Sequence, residues 1–387
     1  MAAAHHRHQD SLEGFLDFSS SPELAPGVRN EAESRFHAIV DHFRNKERPS
    51  TDDYDRAALV HHTYEYARTD KSKEYLLQAF FKSMTLSLTD TEDFDLADEE
   101  SERELFLKLV GFADYLLENF FLPLKASTKK TPQPSPAYHS ATQSTRAGGQ
   151  SFVGTPLRLS TLRGACLIRD HHRCVISRFF DRKQALERMK AAGDDARDDD
   201  GQILVGTTFD SLEVAHILPH SLVKTNSDSS LDRSREAALQ ILNMFDTDVV
   251  HMIEGPDIDR PRNALTLTHN LHQDFGDFQI FFEPDGPANT YRIQTFLPAA
   301  MHPFLPITRQ LLLTEDRTIE PPSPRLLAVH AAIANILHLS AAGRYIDRIL
   351  DGFEDQTVRD DGSTHLGQFV NLKLAGWLVS AGIGGQQ

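Results

Sequence analysis

Three short pieces of this chain limit its fold more than any property of the whole. They are Val214-Ala215-His216-Ile217-Leu218-Pro219, then Asn263-Ala264-Leu265-Thr266-Leu267, then Leu271-His272. The first two alternate as half-buried strands do, and Pro219 closes the first because proline cannot extend a hydrogen-bonded ladder. Residues Asn270 to Phe275 begin a helix. His216 is therefore expected where one strand runs out, Asn263 where a second begins, and His272 in the first turn of a helix, nine positions after Asn263. Singly, each has an ordinary structural role: a half-buried histidine, a strand start after the Pro261-Arg262 turn, and a helix-surface histidine. Their combination carries more than its parts.

At 387 residues the chain exceeds one average domain, and 40% apolar residues suffice for ordinary cores. No run of 18 apolar residues predicts a membrane span, and Met1 to His8 lacks the apolar stretch of a secretory signal. Cys166 and Cys174 are the only cysteines. That excludes a disulfide framework and a four-cysteine zinc ribbon, and fits a reducing, intracellular compartment. Lys125, Lys129 and Lys130 are too sparse for a nuclear address, so nucleus or cytoplasm stays open. The net charge of −16 opposes nucleic-acid binding by the chain as a whole. Its distribution is uneven, however. Arg158 to Lys190 carries nine basic residues against three acids, while acids dominate Asp90 to Glu104 and Asp194 to Asp200. The basic strip reads equally as a polyanion-binding surface or as a solvated helical face.

Along the chain, residues 1–30 read as a disordered start. Residues 31–124 read as an all-helical N-terminal domain, with helices at Glu31 to Phe43, Asp53 to Arg68 and Glu74 to Met84. A further helix is predicted behind a capping box at Ser101 and Glu104, with Leu105, Leu109, Phe112, Leu116 and Phe120 on one face. Residues 125–155 suit a flexible linker. The region 156–320 mixes helices with short strands, including a hairpin around Pro284-Asp285-Gly286. Helices follow in 321–376, expected to pack on the preceding domain, and 377–387 reads as a tail. Asp-rich Gly193 to Gly201 lacks the ligands of a calcium loop, since Ala196 and Thr207 replace acids, and is read as a disordered surface insertion. No phosphate-binding glycine loop occurs. His330 and His338 read as structural, and His5, His6 and His8 as incidental.

The His216, Asn263 and His272 phrases together resemble the HNH endonuclease family. The resemblance extends over roughly 156–350, through Leu162-Arg163, Arg169-Asp170, Arg173-Cys174-Val175, Leu239 to Phe245, Phe278 to Pro284 and Pro324 to Ala334, as in a subgroup common in filamentous fungi. It implies an α+β fold with a ββα-metal core flanked by helices. It further implies hydrolysis of phosphodiester bonds, DNA before RNA, leaving a 5′-phosphate and a 3′-hydroxyl. His216 would be the general base, Asn263 would bond backbone across the loop and hold that base, and His272 would bind one divalent metal ion. The metal would be Mg²⁺ or Mn²⁺, with Zn²⁺ or Ni²⁺ as alternatives. Arg169, Arg173 and Arg178 are the expected phosphate contacts. No membrane partner is expected, and the N-terminal helical domain is free to recruit a protein.

The pattern also departs from the family. Members often carry Asp or His before the base as a metal ligand, where this chain has Ala215. Members with a third helical ligand place His or Asp where this chain has Gly276. Asp277 is the favoured substitute, with Asp274, Glu213 and His269 as alternatives. A catalytically degenerate scaffold that only binds nucleic acid or protein would share these features. The nuclease reading requires both imidazoles to face one cleft.

Overall fold

The structure is a computed structural model that describes residues 23–46, 53–90, 94–128, 155–224 and 231–354, with Gln368, Leu372, Lys373 and Trp377 beyond them. The expectations for 1–22, including His5, His6 and His8, for 129–154 of the linker, and for 378–387 lie outside these residues. The first helices are α1 (Pro26–Lys46), α2 (Arg56–Glu65), α3 (Asp70–Ser83), α4 (Glu99–Leu116) and α5 (Leu122–Thr128). Next come α6 (Thr155–Arg169), α7 (Arg182–Ala192), α8 (Arg233–Asn243), α9 (Val249–Ile253), α10 (His269–Gly276), α11 (Pro324–Leu339) and α12 (Ala342–Glu354). The strands are β1 (Phe180–Asp181), β2 (Phe209–Asp210), β3 (Leu212–His216), β4 (Ala264–Thr268), β5 (Ile280–Pro284), β6 (Thr290–Thr295) and β7 (Ile307–Gln310). The chain is thus α+β, with helices outnumbering strands. No single helix among the described residues is long and apolar enough to cross a membrane.

Two compact units form, and neither is continuous in sequence. Of the described residues, the first takes those within 1–127, 224–251 and 335–387, and the second those within 128–223 and 252–334. The helices expected as a separate N-terminal domain therefore share their unit with α8 and α12. Backbone bonds tie these distant segments together: Asp55 N–H to Ser340 O (2.9 Å) and Arg68 N–H to Phe245 O (2.8 Å). Phe120 stacks on Phe245 at 5.3 Å between ring centres. The apolar stripe Leu105, Leu109, Phe112, Leu116 and Phe120 is buried as its spacing predicts.

The helix that carries this stripe starts earlier than expected. Its cap is Asp98, whose carboxylate accepts the Ser101 N–H (2.9 Å), so Ser101 lies inside the first turn. Glu99, Glu100 and Glu102 in that turn are favoured by the helix dipole. The linker also starts later than expected. Lys125 is fully buried on α5, with its ammonium on Asp347 (2.6 Å) and Gly343 O (3.3 Å). Trp377, assigned to the tail, is buried, and its indole N–H donates to Ser234 Oγ (2.5 Å).

In the second unit β3 and β4 pair antiparallel, in register His216 to Ala264 and Leu212 to Thr268. β5, β6 and β7 form an antiparallel sheet that includes the expected hairpin, and β1 pairs parallel with β2. Cys174 to Ile176 has strand composition but forms a turn, with Cys174 N–H on Phe179 O and Val175 N–H on Thr266 O, each 2.9 Å.

His330 of α11 lies stacked between Phe275 of α10 (3.9 Å, 7°) and Phe278 (4.7 Å, 26°), and its Nε2–H donates to Phe275 O (3.0 Å). Burial drives its pKa down from 6.5 to about 3, against the raising effect of that hydrogen bond. The unfolded chain takes up this proton as pH falls below 6.5, whereas the folded chain refuses it until about 3. The associated stability is therefore complete above that window and drains away as pH falls through it. Replacing His330→Leu should flatten the pH dependence of unfolding free energy between these limits by up to ~1.4 kcal/mol per pH unit, one proton's worth. Denaturant titrations at several pH values measure that slope.

Candidate active site

Strand β3 ends at His216, and the pleat divides its side chains between two faces. Leu212, Val214 and His216 share one face. Val214 there packs with Leu162 and Cys166 of α6 and with Ala264. Glu213 and Ala215 share the other face, where Glu213 meets α10. By parity His216, the last residue of β3, leaves the strand on the side away from Glu213, the residue that binds His272. Among the described residues, neither His216 nor His272 belongs to a group of three potential ligands close enough to hold one ion.

On the first face, His216 Nε2 donates to Asp259 Oδ1 (3.2 Å), and its Nδ1 is buried without a hydrogen-bond partner. The other Asp259 oxygen faces Arg158 Nε at 3.2 Å and His220 Nε2 at 3.6 Å. Burial alone would raise the Asp259 carboxyl. The His216 hydrogen bond and the charges of His220, His216 and Arg158 outweigh it and hold the pKa below its ordinary value. The His216 side chain is only 3% exposed, yet its surroundings are polar and charged.

Asn263 is fully buried and fixes this arrangement. Its Oδ1 accepts from Leu218 N–H (3.0 Å), and its Nδ2 donates to Leu218 O (2.9 Å) and Ile258 O (2.9 Å). Its own carbonyl accepts from Ile217 N–H (2.8 Å). One amide therefore fastens the exit of the strand bearing His216 to the turn bearing Asp259. An amide suits the position because it alone supplies an acceptor for the N–H and donors for both carbonyls.

On the other face, Glu213 binds His272 Nδ1 through Oε2 (2.7 Å) and His269 Nδ1 through Oε1 (3.0 Å). The His272 hydrogen bond leads the causes that lower the Glu213 pKa to about 2, with burial opposing and His269 assisting. The carboxylate hydrogen-bonded to His272 is that of Glu213, and the contacts of the expected partner Asp277 lie elsewhere. Asp277 caps α10, its backbone N–H on Gln273 O (2.8 Å), and Asp274 accepts from His302 (2.6 Å). Gly276, where family members carry a third helical ligand, is crowded by Thr128, whose backbone would have to give by a few tenths of an ångström to admit a side chain. A Cβ there would come 3.2 Å from Thr128 O, and Thr128 Oγ1 donates to Gly276 O (2.5 Å).

The three arginines assigned to phosphate are engaged within the fold. Arg169 is completely buried and grips both oxygens of Asp170 through its Nε and Nη2, each at 2.8 Å. Arg173 pairs with Asp198 (2.5 Å) and donates to Arg178 O (2.9 Å). Arg178 donates to Gln310 O, and burial lowers its pKa. The acidic 194–200 segment, expected as a disordered insertion, is ordered against the basic strip. Asp199 takes His172 (2.7 Å) and Arg188 (2.7 Å), and Asp200 takes His171 (2.8 Å). Exposed basic residues remain on α7 at Arg182, Lys183 and Lys190.

Sequence reasoning missed Asp259, Arg158 and His220, and ranked Glu213 below Asp277. Strand parity is the signal that finds Glu213, because it lies on the face of Ala215, where family members carry a ligand. The donors present, a carboxylate and an imidazole, are of types that ligate a divalent ion, but at 2.7 Å they are hydrogen-bonded to each other and would have to part to share one. No curated protein and no solved structure matches the chain. Residues 174–283, which hold β3, β4 and α10, match the HNH endonuclease family, and the chain carries a domain of that family.

Proposed function

We propose that the second unit hydrolyses phosphodiester bonds of nucleic acid, DNA in first place, with His216 as the general base. The observation that carries this reading is the state of His216. Its Nε2 is committed to a buried carboxylate, so its Nδ1 is left as the acceptor, on a strand end fastened by Asn263. An imidazole so held can take a proton from water, and Asp259 stabilises the cation that results. Glu213 and His272 would hold a divalent ion, Mg²⁺ or Mn²⁺ before Zn²⁺ or Ni²⁺, which when bound neutralises charge on the phosphate. Glu213 and His216 leave β3 on alternate sides, so one cleft would have to be shared around the strand's end, where a scissile phosphate would reach both. Arg182, Lys183 and Lys190 supply exposed positive charge for the backbone of the nucleic acid.

Incubation with supercoiled plasmid tests this. Nicking should require Mg²⁺ or Mn²⁺, stop with chelator, and fall ~10²-fold in Glu213→Gln, equivalent to a few kcal/mol of charge stabilisation. Nicking that survives both treatments would sink the assignment. A second reading is a scaffold that binds without cleaving, favoured by Ala215, by Gly276 and by the nearly enclosed His216 ring. Plasmid binding with no nicking in any of the four metals would establish it.

A further inference from the structure

The first unit carries a second cluster of metal-ligand chemistry, unconnected with the HNH motif. His37 and Asp41 are one turn apart on α1, and His61 and Glu65 are one turn apart on α2. The two pairs face each other crosswise. His37 Nε2 lies 3.6 Å from Glu65 Oε1, and His61 Nδ1 lies 3.7 Å from Asp41 Oδ1. The His37 and His61 rings are 5.9 Å apart. One donor atom from each of His37, His61 and Glu65 lies within 4.8 Å of the other two. We propose that His37, His61 and Glu65 form a site for one divalent transition-metal ion, Zn²⁺ in first place, with a fourth position open to water.

Three observations carry this beyond a surface ion-pair network. First, His37 Nε2 and Glu65 Oε1 stand 3.6 Å apart, too far for an N–H···O bond of about 2.9 Å and close to the ~3.4 Å between tetrahedral donors ~2.1 Å from zinc. Second, His61 Nδ1 is buried with no hydrogen-bond partner, an arrangement a coordinate bond would resolve. Third, the frame is rigid. Phe36, Val40, Leu59, Val60 and Tyr64 bury the α1–α2 contact, and the His37 ring packs edge-on against Phe36 (5.3 Å) and Tyr64 (5.4 Å).

Two imidazoles and one carboxylate select zinc and its neighbours over Mg²⁺ or Ca²⁺, which prefer all-oxygen sites. Asp41 is held by Arg44 (3.0 Å), so it flanks the ion rather than completing its shell. Glu65 is 43% exposed and leaves a path for entry.

The test uses the full chain with His5, His6 and His8 replaced by alanine, because those residues could bind ions on their own. Zn²⁺ is titrated against a chromogenic chelator, and Co²⁺ is followed by its visible ligand-field absorption. Glu65→Gln, a substitution at an exposed position, and His61→Gln should each weaken Zn²⁺ at one site by at least ~100-fold, the upper range for loss of an outer partner. Both should abolish the matching Co²⁺ band. The HNH-domain variant Glu213→Gln should retain the site. Equal Zn²⁺ binding in parent and Glu65→Gln, or no binding by the parent, overturns the proposal.

Discussion

His216→Ala should lower the rate of plasmid nicking by ~10²–10⁴-fold, the usual worth of a positioned general base. Binding of the plasmid should be unchanged, because the nearly enclosed ring contacts Asp259 and is not part of the exposed basic face of α7. The substitution removes only one of three groups around Asp259, leaving Arg158 at 3.2 Å and His220 at 3.6 Å, so the carboxylate stays compensated and the unit stays folded. Two further readouts separate proton transfer from structural support. Added imidazole should restore part of the rate to His216→Ala, since it can occupy the vacated space and accept the proton. Asp259→Asn should also slow nicking, because an amide cannot stabilise the imidazolium as a carboxylate does. Wild-type nicking by His216→Ala would place the base elsewhere and end the nuclease mechanism in this form.

The elements around the site were legible because each has a local period. β3 and β4 alternate, α10 follows at helical spacing, and the Leu105 to Phe120 stripe identifies α4. What was not legible depends on partners far away in the chain. Asp259 sits in a short turn 43 residues from His216, and nothing in Gly255-Pro256-Asp257-Ile258-Asp259 distinguishes the buried acid from the half-buried one two positions before it. The basic strip and the acidic loop each read as surface because charge is usually solvated. Only folding brings Asp198, Asp199 and Asp200 against Arg173, His172, Arg188 and His171. The excursion of 224–251 into the first unit was hidden for the same reason, since α8 is amphipathic but its periodicity does not name the core that it joins.

Arg169→Met should destabilise the second unit by ~3–5 kcal/mol, the cost of stripping one partner from a buried ion pair. Both side chains are 0% exposed. Arg169 also donates to Pro261 O (2.7 Å), Ala264 O (2.9 Å) and Glu320 O (3.3 Å), so its loss leaves three carbonyls without this donor besides the Asp170 carboxylate. Pro261 and Ala264 bracket Asn263, which means that the guanidinium clamps the segment that fastens His216. Arg169→Lys should not rescue, because an ammonium cannot span both Asp170 oxygens and reach three carbonyls at once. The double variant Arg169→Met, Asp170→Leu removes both charges and should recover part of the loss, as neutral isosteric cores often do. The measurement is the denaturant midpoint of the unit's unfolding transition with its slope unchanged. Had Arg169 bound phosphate as its position in the basic strip suggests, the substitution would weaken nucleic-acid affinity and its salt dependence and leave that midpoint where it was.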